Sequence, residues 1–208
     1  MLARIRWFWV AAFTPLARLL LRAGIPPNVV TAAGTIGVCA VALTLFPLGH
    51  LFWGAFVIAV FVISDTVDGV MARMSGQSST WGAFLDSTLD RFGDFAVFGG
   101  LLLYFTGRGS DHLLAGLTLW CLATGSITSY IRARAESLGM TADVGISQRA
   151  DRLVAVLVGA GLSGLGVPYV LSISLWVLAV ASAVTVAQRL VAVRRQAVVA
   201  APEHAGVR

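Results

Sequence analysis

The sequence has no lysine, few acids and little charge of any kind. Of its 208 residues, 12% are charged and 58% hydrophobic, and mean hydropathy is +0.85. Soluble domains carry roughly a quarter charged residues, so this chain lacks the polar surface to face water all round, which excludes an ordinary soluble domain. Cysteine is scarce: Cys39 and Cys121 both lie inside apolar runs. They read as small buried residues and say nothing of a disulfide framework. His50, His112 and His204 are scattered and lack the spacing of a zinc site. No internal repeat or low-complexity segment is present.

What the chain does have is arginine and long apolar runs. All fifteen basic residues are arginine; ten acids oppose them, and the net charge is +5. In so apolar a chain this excess reads as loops beside anionic lipid, and no nucleic-acid partner is expected. Apolar runs cover Val29–Pro47, Leu51–Met71, Trp81–Phe105, Leu113–Ile131, Leu153–Val167 and Tyr169–Ala187. Most approach the roughly 20 residues that cross a hydrocarbon core, Leu153–Val167 being short. Ahead of them, Arg4, Arg18 and Arg22 share one side of a helical wheel. Ile5, Trp9, Phe13, Leu16 and Leu20 take the other side, with Arg6 the exception. That pattern suits a helix lying in the membrane interface, with a cleaved signal peptide as the alternative.

The sequence therefore predicts an all-α integral membrane protein with six transmembrane helices preceded by an interfacial amphipathic helix. The expected division is an interfacial helix at 1–24, a six-helix membrane domain at 25–196 and a flexible cytoplasmic tail at 197–208. Arginines at both termini and in the second and fourth loops share one side, and Arg108 stands on the other. Both termini are accordingly expected on the cytoplasmic side of the cell membrane.

Four carboxylates stand out against this background. Asp65 and Asp68 are spaced i, i+3 near the end of the second run, and Asp86 and Asp90 i, i+4 near the start of the third. Each pair shares one helix face. The short connection predicts that the two helices are antiparallel neighbours whose acidic faces meet near the cytoplasmic boundary. Four converging carboxylates stay ionised there only if cations hold them. Oxygen ligands without His or Cys favour Mg²⁺, Mn²⁺ or Ca²⁺, and four carboxylates can hold two ions, an arrangement suited to in-line phosphoryl displacement. Gly69, Ala72 and Gly82 leave the faces bare, for helix packing or for a ligand. Arg73 suits a phosphate or lipid headgroups equally.

Written out, the stretch is D-x2-D-G-x2-A-R-x8-G-x3-D-x3-D. It resembles the signature of the CDP-alcohol phosphotransferase family at every fixed position, and the six-span layout is similar as well. The resemblance implies an enzyme that transfers a phosphatidyl or similar group from a CDP-linked donor to an alcohol, releasing CMP. It implies that Asp65, Asp68 and Asp86 bind divalent metal, two ions of Mg²⁺ or Mn²⁺, and that Asp90 is the catalytic base, itself close to a metal. Asp68, Gly69, Ala72, Arg73 and Gly82 would line the CDP site. Asn28 and Thr31 belong to a Pro-Asn-x-x-Thr element similar to the family's and would touch the nucleotide, although Asn28 reads equally well as a helix cap. A homodimer is expected on the same resemblance. Asp94 lies one turn beyond Asp90, outside the fixed pattern, and can pair with Arg91.

A second cluster bears on the acceptor. Ser129, Arg132 and Arg134 end the fourth run, Arg149 and Arg152 open the fifth, and Arg194 and Arg195 follow the sixth. Taken singly, each arginine reads as positive-inside placement. Together they are what a phosphorylated acceptor requires, because the planar guanidinium grips phosphate with two hydrogen bonds. Within the family the arrangement resembles the actinobacterial branch that joins CDP-diacylglycerol to inositol phosphate. It implies Arg132, Arg134, Arg152 and Arg195 as acceptor-phosphate ligands, with Arg149, Arg194 and Ser129 as further candidates. Glycerol 3-phosphate, giving phosphatidylglycerol phosphate, is the alternative acceptor. A cation transporter or channel that uses the carboxylates as its ion site is the alternative of another class.

Overall fold

Prolines and side-chain caps set the helix boundaries. The computed structural model describes residues 14–75 and 79–200, with side chains except at 63–68, 72, 73, 75 and 200. A short helix α1 (14–22) leads into α2 (Pro27–Leu45), α3 (Leu51–Ser75), α4 (Thr80–Thr106), α5 (His112–Ser137), α6 (Arg149–Gly164) and α7 (Val170–Ala200). Among the described residues there is no strand. Pro27 opens α2, where a missing N–H costs nothing. Ser79 caps α4 by accepting from the Gly82 N–H at 3.0 Å, and Asp111 caps α5 by accepting from the Leu114 N–H at 2.9 Å.

The apolar runs reappear as α2–α7 with shifted ends. Helix α6 starts at Arg149 rather than Leu153 because Asp151 Oδ2 accepts from the Gln148 N–H at 3.0 Å and folds the polar stretch into the first turn. Helix α7 runs on to Ala200, so 197–200 belong to the helix and not to a tail; 201–208 lie outside the described residues. The expected interfacial helix at 1–24 falls outside the description up to residue 13. Its described part, α1, exposes Arg18 and Arg22. Ala17, with Leu20 and Leu21, packs on Val30 of α2 and on Val70 and Met71 of α3.

Six helices close into a ring. Extensive contacts among the described residues link α2 to α3, α3 to α6, α6 to α7, α7 to α5, α5 to α4 and α4 back to α2. Among the described residues α3 and α4 each pack extensively on α2; the part of α3 that carries Asp65 and Asp68, where the two helices are expected to meet, has side chains outside the description. Glycine allows the approach of α4 to α2, since a Cβ at Gly100 would strike the Ala42 carbonyl. Phe46, Ile58, Val97, Leu101, Val156 and Leu175 fill the common core.

The outer surface is apolar. Ile36, Trp53, Phe56, Phe92, Trp120 and Trp176 are all exposed, a surface that water would penalise and lipid would not. Pro27–Leu45, His112–Ser137 and Val170–Val199 are each long and apolar enough to cross a membrane. Helices α3 and α4 carry the carboxylates, and the 16 residues of α6 reach only about 24 Å of a core about 30 Å thick. These features point to a membrane protein.

Candidate functional site

The polar residues of the ring gather in one cleft of about 960 Å³. It lies between the first half of α4, the second half of α5, the connection at 138–148, the start of α6 and the late turns of α7. Asp90, Arg91, Ser129, Arg132, Arg149, Arg152 and Arg189 all line it.

Two of these arginines are buried and, among the described residues, make no direct ion pair. Arg152 is 4% exposed; its Nη1 donates to the Ser147 carbonyl at 3.3 Å and lies 3.5 Å from Thr128 Oγ1. The guanidinium fits because residue 125 is glycine: a Cβ there would stand 3.2 Å from Arg152 Nε. Arg189 is 8% exposed. It donates through Nε to the Val144 carbonyl at 2.9 Å and through Nη1 to the Thr128 carbonyl at 2.6 Å. Among the described residues, neither guanidinium has a carboxylate within ion-pair distance. Buried charges are normally paired; here the nearest carboxylates, Asp94 for Arg152 and Asp143 with Glu136 for Arg189, act from beyond ion-pair distance, which leaves both guanidinium groups open to an anion.

Arg132 is held differently. Its Nε meets Glu136 Oε1 at 2.9 Å and its Nη2 meets Asp143 Oδ1 at 3.0 Å, with half of each side chain or more exposed. Asp143 sits on a connection strapped to α7. Gln196 accepts from the Thr141 N–H at 2.9 Å and donates to the Thr141 carbonyl at 2.6 Å. Farther along, Thr185 Oγ1 accepts from the Ser147 N–H at 3.1 Å. Arg134 donates to Ser137 at 3.3 Å and is not among the cleft-lining residues; nor are Arg194 and Arg195.

On the α4 side, Asp86 is exposed and Asp90 half-buried. Asp90 Oδ1 pairs with Arg149 Nη1 at 2.8 Å. The same guanidinium reaches Asp94 Oδ1 through Nε at 3.2 Å. Asp94 Oδ2 in turn meets Arg91 Nη1 at 3.2 Å, and Arg91 also donates to Ser129 Oγ. Asp65 and Asp68 lie one turn apart in the C-terminal half of α3, and their side chains fall outside the description, as do those of Ala72 and Arg73. Among the described residues no three His, Cys, Asp or Glu side chains gather as a metal site; the four carboxylates expected to do so, Asp65, Asp68, Asp86 and Asp90, are all oxygen donors, the chemistry that suits a hard divalent cation.

The starts of α2 and α4 meet. A Cβ at Gly82 would stand 3.3 Å from Asn28 Oδ1, so two residues expected at the CDP site are neighbours across the ring. Asn28 is not a cap: it lies inside α2, whose N-cap position is Pro26 without a side-chain cap hydrogen bond. Thr31 is buried and donates to the Pro27 carbonyl at 3.2 Å; Gly69 is partly exposed.

Residues 25–187 match the family model described as CDP-alcohol phosphatidyltransferase. The chain belongs to this family and is a CDP-alcohol phosphotransferase. It is 49% identical to the phosphatidylinositol phosphate synthase of Streptomyces avermitilis over 92% of this chain and 81% of that protein. To the phosphatidylinositol phosphate synthase of Cutibacterium acnes it is 48% identical over 94% of this chain and 98% of that protein. The crystal structure of Mycobacterium tuberculosis phosphatidylinositol phosphate synthase with CDP-DAG bound superposes with a TM-score of 0.85 at 49% identity, covering 87% of this chain and 92% of that one. The same enzyme in complex with manganese and citrate also gives 0.85, at 49% identity and 87% and 88% coverage.

Sequence reasoning missed Arg189 as a site residue, counting it only toward membrane orientation. Its signal was an arginine within α7, between Val186-Ala187 and Leu190-Val191 and five residues ahead of the Arg194–Arg195 pair.

Proposed function

We propose that this enzyme transfers the phosphatidyl group of CDP-diacylglycerol to a hydroxyl of inositol phosphate, giving phosphatidylinositol phosphate and CMP. The observation that carries the reading is the pair of buried guanidinium groups, Arg152 and Arg189, which make no direct ion pair among the described residues, in the cleft that also holds Asp90. A phosphorylated acceptor supplies the missing anion. Arg132 adds a third grip once the phosphate competes with Glu136 and Asp143. The start of α6 lines the same cleft, and its N–H groups favour an anion. The names of the actinobacterial relatives support inositol phosphate as that acceptor.

Asn28, Thr31, Asp68, Gly69, Ala72, Arg73 and Gly82 hold the CDP end of the donor in this reading. Asp65, Asp68, Asp86 and Asp90 would hold two divalent ions, Mg²⁺ or Mn²⁺. Bound there, such ions supply positive charge to the diphosphate and its leaving group. Asp90 takes the proton as the acceptor hydroxyl oxygen attacks the phosphorus that bears diacylglycerol. The new P–O bond forms as the bond to the CMP phosphate breaks, and CMP leaves. The cleft positions the hydroxyl by holding the acceptor's phosphate away from the reacting end.

The membrane arrangement is part of the same reading. The domain at 25–196 spans the bilayer six times, residues 1–24 lie along its interface, and both termini and the cleft face the cytoplasm. The positive-inside distribution of arginine supports this orientation. The active form is a homodimer, as the family resemblance suggests.

The test is CMP release by the purified protein with CDP-diacylglycerol and either inositol phosphate or glycerol 3-phosphate. Turnover with inositol phosphate is expected; turnover with glycerol 3-phosphate alone would overturn the acceptor assignment. Asp90→Asn should abolish transfer while retaining CDP-diacylglycerol binding, and full activity in that variant would remove Asp90 from the role of base.

A further inference from the structure

The family motif ends at Asp90 and leaves Arg149, Asp94 and Arg91 without roles, yet these three form the densest ionic network beside the cleft. Arg149 reaches from α6 to α4 and makes three contacts there. Nη1 pairs with Asp90 Oδ1 at 2.8 Å, Nη2 donates to the Asp90 carbonyl at 3.4 Å, and Nε pairs with Asp94 Oδ1 at 3.2 Å. The far oxygen of Asp94 is held in turn by Arg91 at 3.2 Å, which is anchored on Ser129 of α5. Both orientations of the Arg149 guanidinium plane are thereby fixed, one edge by the Asp90 carboxylate and the other by Asp94.

We propose that Arg149 is a positioning residue that sets the rotamer of Asp90, and that Asp94 holds Arg149 in place for that task. The inference rests on the reading of Asp90 as the base. Arg149 and Arg152 are three residues apart on α6 and so share one face. A single capped turn therefore carries both the group that aims the base and a group that faces the acceptor phosphate. The offset between the two arginines is fixed by helix geometry, about 4.5 Å of axial rise, and not by loop conformation. Arg149 acts on turnover through Asp90 and leaves acceptor affinity to Arg152 and Arg189.

The experiment is steady-state CMP release by the full-length protein in detergent micelles with CDP-diacylglycerol, varying inositol phosphate, for Arg149→Lys, Asp94→Asn and the double variant. Lysine keeps the charge but cannot bridge both carboxylates. Arg149→Lys should lower kcat at least tenfold, because small misplacements of reacting groups cost about that or more, with KM for inositol phosphate within about twofold of wild type. Asp94→Asn should lower kcat as well, and in the Arg149→Lys background it should lower it little further, as expected for two residues acting as one unit. Unchanged kcat in Arg149→Lys would overturn the proposal. So would a raised KM with unchanged kcat, which would make Arg149 an acceptor ligand, or additive effects in the double variant. If Arg149→Lys is not recovered folded, the near-isosteric Asp94→Asn decides alone, lowered kcat at constant KM supporting the proposal and unchanged kcat overturning it. Asp90→Asn run in parallel separates the two failures. Activity there defeats the reading of Asp90 as base, whereas inactivity there with an unaffected Arg149→Lys defeats this proposal only.

Discussion

Replacing Arg152 with glutamine separates a binding role from a structural one, because the two predict opposite patterns. The guanidinium is 4% exposed and its donors meet only the Ser147 carbonyl at 3.3 Å and Thr128 Oγ1 at 3.5 Å. A buried cation with neutral partners costs the free protein desolvation energy that an uncharged side chain does not. Arg152→Gln should therefore melt within a few degrees of wild type when no acceptor is present. Binding changes far more. A charge-assisted hydrogen bond contributes about 1.5–3 kcal/mol, and about 1.4 kcal/mol is tenfold, so KM for inositol phosphate should rise about 10- to 100-fold. A thermal melt adds a second readout. Acceptor at 100 times its Kd should stabilise wild type by about 2.7 kcal/mol, and the same concentration, about 1–10 times the variant's Kd, should stabilise the variant by only about 0.4–1.4 kcal/mol. Initial rates of CMP release at saturating CDP-diacylglycerol measure the first quantity, and detergent-phase melts with and without inositol phosphate measure the second. An unchanged KM would refute the reasoning. A large loss of thermal stability without acceptor, at unchanged KM, would make Arg152 a structural residue.

Other expectations follow from the same geometry. Arg132→Ala should raise acceptor KM several-fold more than Arg134→Ala, because Arg132 lines the cleft and Arg134 does not; parallel kinetics on the two variants check this. Gly145 has φ +139°, and a Cβ there would collide with Thr185. Gly145→Ala should lower stability by about 1–3 kcal/mol and raise acceptor KM as the 138–148 connection lifts from α7, read by melting and kinetics together. Chelation of divalent cations should stop CMP release, and Mg²⁺ or Mn²⁺ should restore it; activity that survives exhaustive chelation would exclude the carboxylate set as a metal site.

The parts of this fold that are local were legible in the chain. Asp65 with Asp68 and Asp86 with Asp90 repeat at helical spacing, so their grouping needs only the helix itself. The start of α2 follows from Pro27 in the same way. The acceptor side was less legible because it depends on which helix faces which. Arg132 and Arg134 were both expected to hold phosphate, yet residues two apart on a helix point about 200° from one another, and only Arg132 reaches the cleft. Arg189 and Arg195 are six apart, again on different faces, and it is Arg189 that the packing of α7 on α5 turns inward. The order of the ring was hidden as well, since a short connection fixes sequence neighbours but not which other helices each of them packs on. Asp94 was legible as a partner of Arg91, and its second contact, to Arg149, required the fold.

The central claim is that the cleft is built for a phosphorylated acceptor, and the most direct measurement compares inositol phosphate with inositol under identical conditions. With CDP-diacylglycerol and Mg²⁺, the purified protein should release CMP in the presence of inositol phosphate and remain at background with inositol, and Arg152→Gln should lose most of that distinction. Equal CMP release with the two acceptors would contradict the account, because the buried arginines would then have no anion to bind.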